Sequence, residues 1–552
     1  MQITTVLFRA VLSLIFCSSL FIAYAQNGSA EYDALLKEAF PAEGPGATAL
    51  VAKNGKIIYQ NAVGMADLEL GVKMKPGNVF EIGSVTKQFT SVSILMLMEE
   101  GKLSIDDEIT KFIPDYPTHG HKITIHHLLN HTSGIKSYTN MEAFSDVWRK
   151  DYSPEDLISE FKFKPMEFAP GDAWNYNNSG YFLLGYIIEK VSGMTYAEFI
   201  DQKIFQPLGM ENSYYGSMPK IIKNRAKGYQ RNGEDYVNAE YLSLTIPYAA
   251  GSIMSTVEDL NKWQIALKVG KLIKKESLDL AYTNTKLNNG DPTNYGYGWG
   301  NNEIFGSTTV EHGGGIFGYL TNGIYLPEED VYVAVFSNCN CNDPSEVSTR
   351  MAALAIGKPY PSKEKAMKMK EADMQKLVGM YEYENGVKRN IIFEDGQLYS
   401  VRNGNRSEIY PTSKESWFFN QSTASYRFTY DANGEPATVY FEDRINSSKG
   451  KRVSKEIVTK REIEVAESIL RQYVGTYEIQ KGFNLVVTLE DGNLMTQATG
   501  QAKFQLFPET ETKFFVKAFE AAVEFKKSDA GKVDSAVLYQ GGQETKIIRI
   551  ND

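Results

Sequence analysis

The chain has 552 residues, more than one hydrophobic core accommodates, so several domains are expected. Hydrophobic residues make up 42% and charged residues 23%, the balance of an ordinary globular protein. A formal net charge of -10, with no local cluster of basic residues, argues against a nucleic-acid partner.

Arg9 precedes an apolar stretch, Ala10 to Tyr24, which closes on the small-x-small cleavage site Ala23-Tyr24-Ala25. The stretch is short for a bilayer span of roughly 20 residues. Residues 1–25 therefore read as a signal peptide, cleaved after Ala25, and the destination as periplasmic or secreted. Cys17 lacks the small preceding residues that lipidation needs, and no later segment is apolar enough to cross a membrane. After cleavage only Cys339 and Cys341 remain. A bridge between such close neighbours is geometrically demanding, so two unpaired thiols are favoured and a bridge is the alternative.

From 26 to 357 helical and strand patterns alternate. Ala49-Leu50-Val51-Ala52 and Gly55-Lys56-Ile57-Ile58-Tyr59, joined at Asn54, predict an antiparallel hairpin. Phe89, Val92, Leu95 and Met96 keep helical spacing, and Ile94, Leu97 and Met98 fill the other faces. That pattern predicts a buried central helix, with Gly101 as its stop.

Residues 358–376, rich in Lys, Met and Glu, read as a linker, followed by an internal duplication over 377–460 and 461–552. Val378-Gly379-Met380-Tyr381-Glu382 recurs as Val474-Gly475-Thr476-Tyr477-Glu478. Glu394-Asp395-Gly396 recurs as Glu490-Asp491-Gly492, and Phe418-Phe419 as Phe514-Phe515, all at one offset. Alternating apolar residues and turn signals predict a small antiparallel barrel or sandwich in each copy. A lid, spacer or dimerisation module is the plainer role, and a ligand-binding barrel the alternative.

Three motifs carry chemistry. Ser84-Val85-Thr86-Lys87 stands at the head of the apolar helix, where positions i and i+3 share a face and helix-terminal N–H groups converge. Ser-x-x-Lys also occurs at Ser133, Ser159, Ser217, Ser362 and Ser448, so context singles out Ser84. A serine hydroxyl needs a base to become a nucleophile. Lysine serves only when neutral, far from its reference pKa of about 10.4, and burial moves it that way. Tyr176-Asn177-Asn178 follows the turn at Ala169-Pro170-Gly171 and offers a proton relay and a side-chain amide. His312-Gly313-Gly314-Gly315 lies between strand patterns, where glycine lets a substrate backbone approach. The Gly315 N–H is a partner for that of Ser84 in an oxyanion hole. Each motif alone has a plainer reading, as an N-cap, a turn or a glycine-rich hairpin.

Five of the six histidines fall between His119 and His131. His127 and His131 have helical ligand spacing, but Leu128 stands where a zinc hydrolase needs glutamate. No metal and no cofactor are called for.

The three motifs in this order resemble the serine β-lactamase and penicillin-binding-protein superfamily, closest to its class C-like branch of D-aminopeptidases, alkaline D-peptidases, esterases and lactamases. Phe80-Glu81-Ile82-Gly83, Leu128-Leu129-Asn130-His131-Thr132-Ser133-Gly134 and Gly251-Ser252-Ile253-Met254-Ser255-Thr256 add to the resemblance, which spans 31–357. It implies an α/β (α+β) fold: an antiparallel sheet flanked by helices plus a helical region, with two small β-barrel or sandwich domains behind. It also implies Ser84 as nucleophile, Lys87 and Tyr176 as proton carriers, and Asn178, His312 and Gly314 as substrate contacts. One departure is the third motif, His-Gly-Gly here and Lys-Thr-Gly in classical lactamases, where the lysine helps to hold a substrate carboxylate. A histidine is mostly neutral at pH 7. An exported serine hydrolase acting on amides or esters follows, a D-amino-acid-type peptidase or esterase. A β-lactamase or peptidoglycan carboxypeptidase is one alternative, and a non-catalytic binding or sensory protein another. The expected partner is a small-molecule or peptide substrate, of cell-wall origin in one reading.

Overall fold

The computed structural model describes residues 29–552 except 142–143, 217–218, 234, 403–404, 456–461, 481–482, 500–502, 518–520, 529–530, 541–542 and 551–552. The expected signal peptide and the expected boundary between the two repeats lie outside the described residues. The chain divides into two compact units at Tyr360–Pro361.

The first unit is built on a six-stranded antiparallel sheet. Its strands are β1 (Ala47–Lys53), β2 (Lys56–Val63), β3 (Gly300–Ile304), β4 (Ser307–Ile316), β5 (Tyr319–Leu326) and β6 (Val331–Ser337). They lie in the order β3-β4-β5-β6-β1-β2. β1 and β2 form the predicted hairpin, turning at Asn54 and Gly55, whose φ values of 52° and 71° are those of a two-residue turn matched to strand twist.

The two-residue period of β1 divides its side chains between two cores. Ala49 and Val51 face a helix over 29–39 (α1) and helix α5 (Ser345–Ala355), where Leu36, Val347 and Met351 cover that side. Leu50 and Ala52 face the larger core with helices α2 (Thr86–Glu99), α3 (Asn178–Ser192) and α4 (Val257–Lys268). Helix α2 is the predicted central helix, buried on nearly every face, with Phe89 stacked on Trp263 at 4.1 Å between ring centroids. It ends as expected: Gly101 N–H donates to Met98 O and Lys102 N–H to Leu97 O.

Beyond β6 the chain bends, and Cys339 and Cys341 are joined in a disulfide. This corrects the expectation of two unpaired thiols. An extended strand would hold these Cα atoms ~6.7 Å apart. The bend brings them to 5.1 Å, inside the usual disulfide span.

The second unit holds two closed eight-stranded antiparallel barrels, so the repeats are barrels rather than sandwiches. In the first, Gly379–Tyr383 pairs with the last strand, Ser447–Ser454; in the second, Gly475–Gln480 pairs with Gln543–Ile550. The duplication extends to conformation. Gly379 and Gly475 have φ of 152° and 155°, and a Cβ on Gly379 would lie 2.4 Å from Ser454 O. The Tyr381 hydroxyl donates to Leu377 O and the Tyr477 hydroxyl to Tyr473 O, both at 2.9 Å. Side chains pack both interiors, Tyr381, Leu398, Trp417 and Phe428 in one and Tyr477, Leu494, Phe514 and Phe525 in the other. Met369 and Met374, in the stretch read as linker, pack against the first of these cores. Among the described residues no helix is long and apolar enough to cross a membrane.

Candidate active site

Ser84 sits on a single 3-10 turn, Gly83–Val85, that runs directly into α2, rather than on the α-helix itself. A 3-10 turn eclipses positions i and i+3, so the lysine still comes to the serine. Lys87 Nζ lies 3.0 Å from Ser84 Oγ, 2.8 Å from Asn178 Oδ1 and 2.9 Å from Ala250 O. The Lys87 side chain is fully buried, and burial holds its amine well below the ordinary lysine value. A neutral amine has two N–H donors and one lone pair. The two oxygens that can only accept, Asn178 Oδ1 and Ala250 O, take the donors; the lone pair is left for the Ser84 O–H. That is the proton arrangement a lysine base requires.

Tyr176 crosses the same space, with Lys87 Nζ 4.7 Å from its ring centroid. Its buried hydroxyl faces Ser84, whose oxygen slightly eases its ionisation, but no hydrogen bond of good geometry closes between them. Burial dominates and pushes the phenol far up, so Tyr176 keeps its proton. The ring rests on His131 at 4.4 Å between centroids, and the Asn177 N–H donates to His131 Nδ1 at 3.1 Å. Asn177 also caps α3, its side chain accepting the Gly180 N–H at 2.8 Å. The next residue, Asn178, is thereby held with Oδ1 on Lys87 and Nδ2 donating to Thr139 Oγ1 at 3.0 Å.

The third motif arrives on β4. Strand β3 stops pairing with β4 at Glu311, and Gly313–Ile316 run on beside the nucleophile turn. The approach is too close for a side chain: a Cβ on Gly314 would lie 2.0 Å from Ile82 O and 2.4 Å from Thr321 Oγ1. Strand alternation buries His312 and Gly314 and exposes Gly313 and Gly315. The His312 ring stands 6.1 Å from that of Tyr176. Gly313 O accepts from Nδ1 at 2.6 Å, which fixes the tautomer, and Nε2 accepts from the Tyr295 hydroxyl at 2.8 Å. Burial, with Lys87 nearby, lowers its pKa to about 3. His312 is a buried, neutral ring behind Tyr176.

Ser84, Asn178 and Gly315 line a cleft of about 350 Å³ with Tyr138, Ile246 and Phe317. Lys87, Tyr176, His312 and Gly314 lie outside that lining. A larger hollow of about 600 Å³, which includes Asp151, Glu198 and Tyr241 in its lining, contains none of these residues. Volume alone therefore does not mark the site.

The structure adds groups that the motifs did not announce. Ala250 supplies a backbone carbonyl, which has no side-chain signature, although Gly251 opens a stretch already noted. His131, weighed above as a metal ligand and quoted within a family-like stretch, supports Tyr176. His126 Nδ1 lies 2.5 Å from the Tyr297 hydroxyl and His127 Nδ1 3.2 Å from Thr124 Oγ1, so these two histidines are engaged in local hydrogen bonding. Among the described residues no group of His, Cys, Asp or Glu is arranged to hold a metal.

A family model described as Beta-lactamase matches residues 36–358, and one described as Domain of unknown function (DUF3471) matches residues 459–548. Penicillin-binding protein 4* of Bacillus subtilis (strain 168) is 32% identical over 421 residues, 72% of this chain and 92% of that protein. The octameric penicillin-binding protein homologue from Pyrococcus abyssi is 28% identical with a TM-score of 0.55, covering 78% of this chain and 100% of its own. A D-stereospecific amidohydrolase from Streptomyces sp. is 25% identical with a TM-score of 0.52, covering 58% of this chain and 98% of its own. These matches take in the whole sheet and all three motifs, and the chain belongs to the β-lactamase and penicillin-binding-protein superfamily.

Proposed function

We propose that this protein is an exported serine hydrolase that forms an acyl-enzyme on Ser84 and cleaves D-amino-acid-type amides or the corresponding esters. The observation that carries the reading is the buried Lys87 amine, 3.0 Å from Ser84 Oγ and with both its N–H donors already committed. Lys87 takes the serine proton as Oγ attacks the carbonyl. The backbone N–H groups of Ser84 and Gly315 receive the developing oxyanion, where one donor contributes ~3 kcal/mol. Lys87 and the Tyr176 phenol return a proton to the leaving nitrogen or oxygen, and water then hydrolyses the ester with Lys87 again as base.

The cleft lining and His312 narrow the substrate. Tyr138, Phe144, Leu242, Ile246 and Phe317 suit an apolar acyl group. A neutral His312 offers no cation to a substrate carboxylate, which favours neutral amides and esters over β-lactams and over peptides with a free C-terminus. Likeness to a D-stereospecific amidohydrolase supports the same class, with cell-wall peptide fragments as a source. The leader over 1–25 and the Cys339–Cys341 bridge support export.

The test is intact-protein mass after exposure to a fluorophosphonate and, separately, to a penicillin, for wild type and Ser84→Ala. Adducts on wild type that vanish in the variant are expected, with the fluorophosphonate preferred. A folded wild type that takes neither reagent would favour the binding-protein reading instead. The acylation rate should fall as pH drops through the lowered Lys87 value, and a flat profile between pH 5 and 9 would remove lysine as the base.

A further inference from the structure

One polar group of the cleft has no part in the mechanism above. Asn340 stands exposed on the wall beside Ile316, Phe317 and Leu320. It is the one residue enclosed by the Cys339–Cys341 bridge. Its side-chain amide makes no hydrogen bond to another described residue. Its backbone is held firmly: the Asn340 N–H donates to Tyr229 O at 3.2 Å, and the Tyr229 N–H donates to Asn338 O at 2.9 Å. Cys339 is fully buried, so the bridge ties the exposed residue to an anchored point.

We propose that Asn340 is a specificity-determining residue of the Ser84 cleft, presented to substrate by the Cys339–Cys341 bridge. This rests on the reading of Ser84 as nucleophile. A side-chain amide offers one acceptor and two donors, the complement of a peptide amide. Set in a wall of Ile316, Phe317 and Leu320, it favours substrates that carry an amide in the arm reaching that wall over hydrocarbon arms of equal length. The bridge removes loop freedom that substrate binding would otherwise have to quench. Opening it therefore costs selectivity. A dithiol reductant attacks the partly exposed Cys341 sulfur, the S–S bond breaks, and Cys339 leaves as a thiolate and is protonated. The reductant's second thiol then releases Cys341. Two electrons pass from the dithiol, which ends as a disulfide, and two cysteine thiols remain.

The test uses two fluorophosphonates of equal arm length, one with an amide in the arm and one all hydrocarbon, and reads the ratio of their labelling rates on the full chain. One hydrogen bond predicts a ratio of roughly five to ten in favour of the amide probe. The ratio should approach one in Asn340→Ala, in the double variant Cys339→Ser with Cys341→Ser, and in wild type reduced with dithiothreitol. Unchanged thermal unfolding of Asn340→Ala separates loss of recognition from loss of fold. A ratio near one in wild type, or one that survives Asn340→Ala, overturns the role of Asn340. A ratio lost in Asn340→Ala but kept after reduction overturns the role of the bridge. Failure of both probes to label wild type overturns instead the nucleophile reading beneath the proposal.

Discussion

The two units of this chain handle ionisable groups in opposite ways. The first buries them: Lys87, His131, His312, Glu81 and Asp259 are all withdrawn from water. The barrels bury aromatic and aliphatic side chains with a few hydroxyls such as Ser400 and Thr496, and leave pairs such as Arg406–Glu394 and Lys503–Glu490 at the surface. All six histidines lie between His119 and His312, so the barrels have none. Withdrawing a charge from water is costly and shifts its protonation; placing it outside costs little. The first unit accepts that cost around Ser84; the barrels largely avoid it, Arg452 beside Glu435, with its side chain 9% exposed, being the exception. Repetition of Gly379 in Gly475 and of Tyr381 in Tyr477 fits a module specified by packing and turns alone.

The largest effect that sharpens this contrast is on acylation. Lys87→Met should slow fluorophosphonate labelling of Ser84 by about 10³-fold at pH 7, because the hydroxyl loses its base. Trp417→Phe, an equally buried change in the first barrel, should leave that rate as it is. Equal effects of the two variants would mean that the barrel core and the site are energetically one system. Gly314→Ala tests the close approach of β4 to the nucleophile turn. Its Cβ meets backbone at Ile82, so overpacking should cost about 2 kcal/mol in a urea melt and slow labelling as well.

Acidification should separate the units next. His126, His127, His131 and His312 are all held below the ordinary histidine value, first by burial. Between the lowered and ordinary values the unfolded chain binds more protons than the folded one. Stability of the first unit is therefore lost as pH falls below about 6.5. The loss continues to about 4 for His127 and about 3 for His312. In the barrels, Glu435, Glu490 and Glu524 are lowered chiefly by hydrogen bonds from Lys455, Lys503 and Lys526. Their contribution persists down to the ordinary carboxylate value near 4.3 and is lost below it. Peptide-resolved hydrogen exchange, corrected for intrinsic rates, should show the first unit loosening between pH 6.5 and 4.5 while barrel peptides stay protected. Simultaneous loosening would break the contrast.

Much of this was legible from local pattern. The Asn54-Gly55 hairpin, the buried helix α2 and the repeat offset rest on spacing within short windows, where the chain's own period decides the structure. The three motifs were visible because serine, lysine, tyrosine and asparagine carry their chemistry in side chains. The contacts that complete the site were not. Lys87 meets Ala250 through a carbonyl that any residue supplies. The neutral state of His312 depends on burial and on Lys87 nearby, neither of which its neighbours in sequence reveal. The bend that pairs Cys339 with Cys341 follows the end of β6, where residue type alone favoured thiols.

The smallest expected effect tests whether the repeats are equivalent in energy as well as in shape. Tyr381 and Tyr477 each bury a ring in a barrel core and donate to a carbonyl four residues earlier, both at 2.9 Å. Removing the hydroxyl with Tyr381→Phe or Tyr477→Phe leaves the ring in place and one carbonyl short of a donor. Each should cost about 1 kcal/mol, read as faster exchange in the barrel that carries the change. Equal costs would mean that the duplicated tyrosine–carbonyl bond does the same work twice. A large cost in one barrel and none in the other would mean that the copies have diverged in what holds them, with water or a neighbouring group satisfying Leu377 O or Tyr473 O once the hydroxyl is gone.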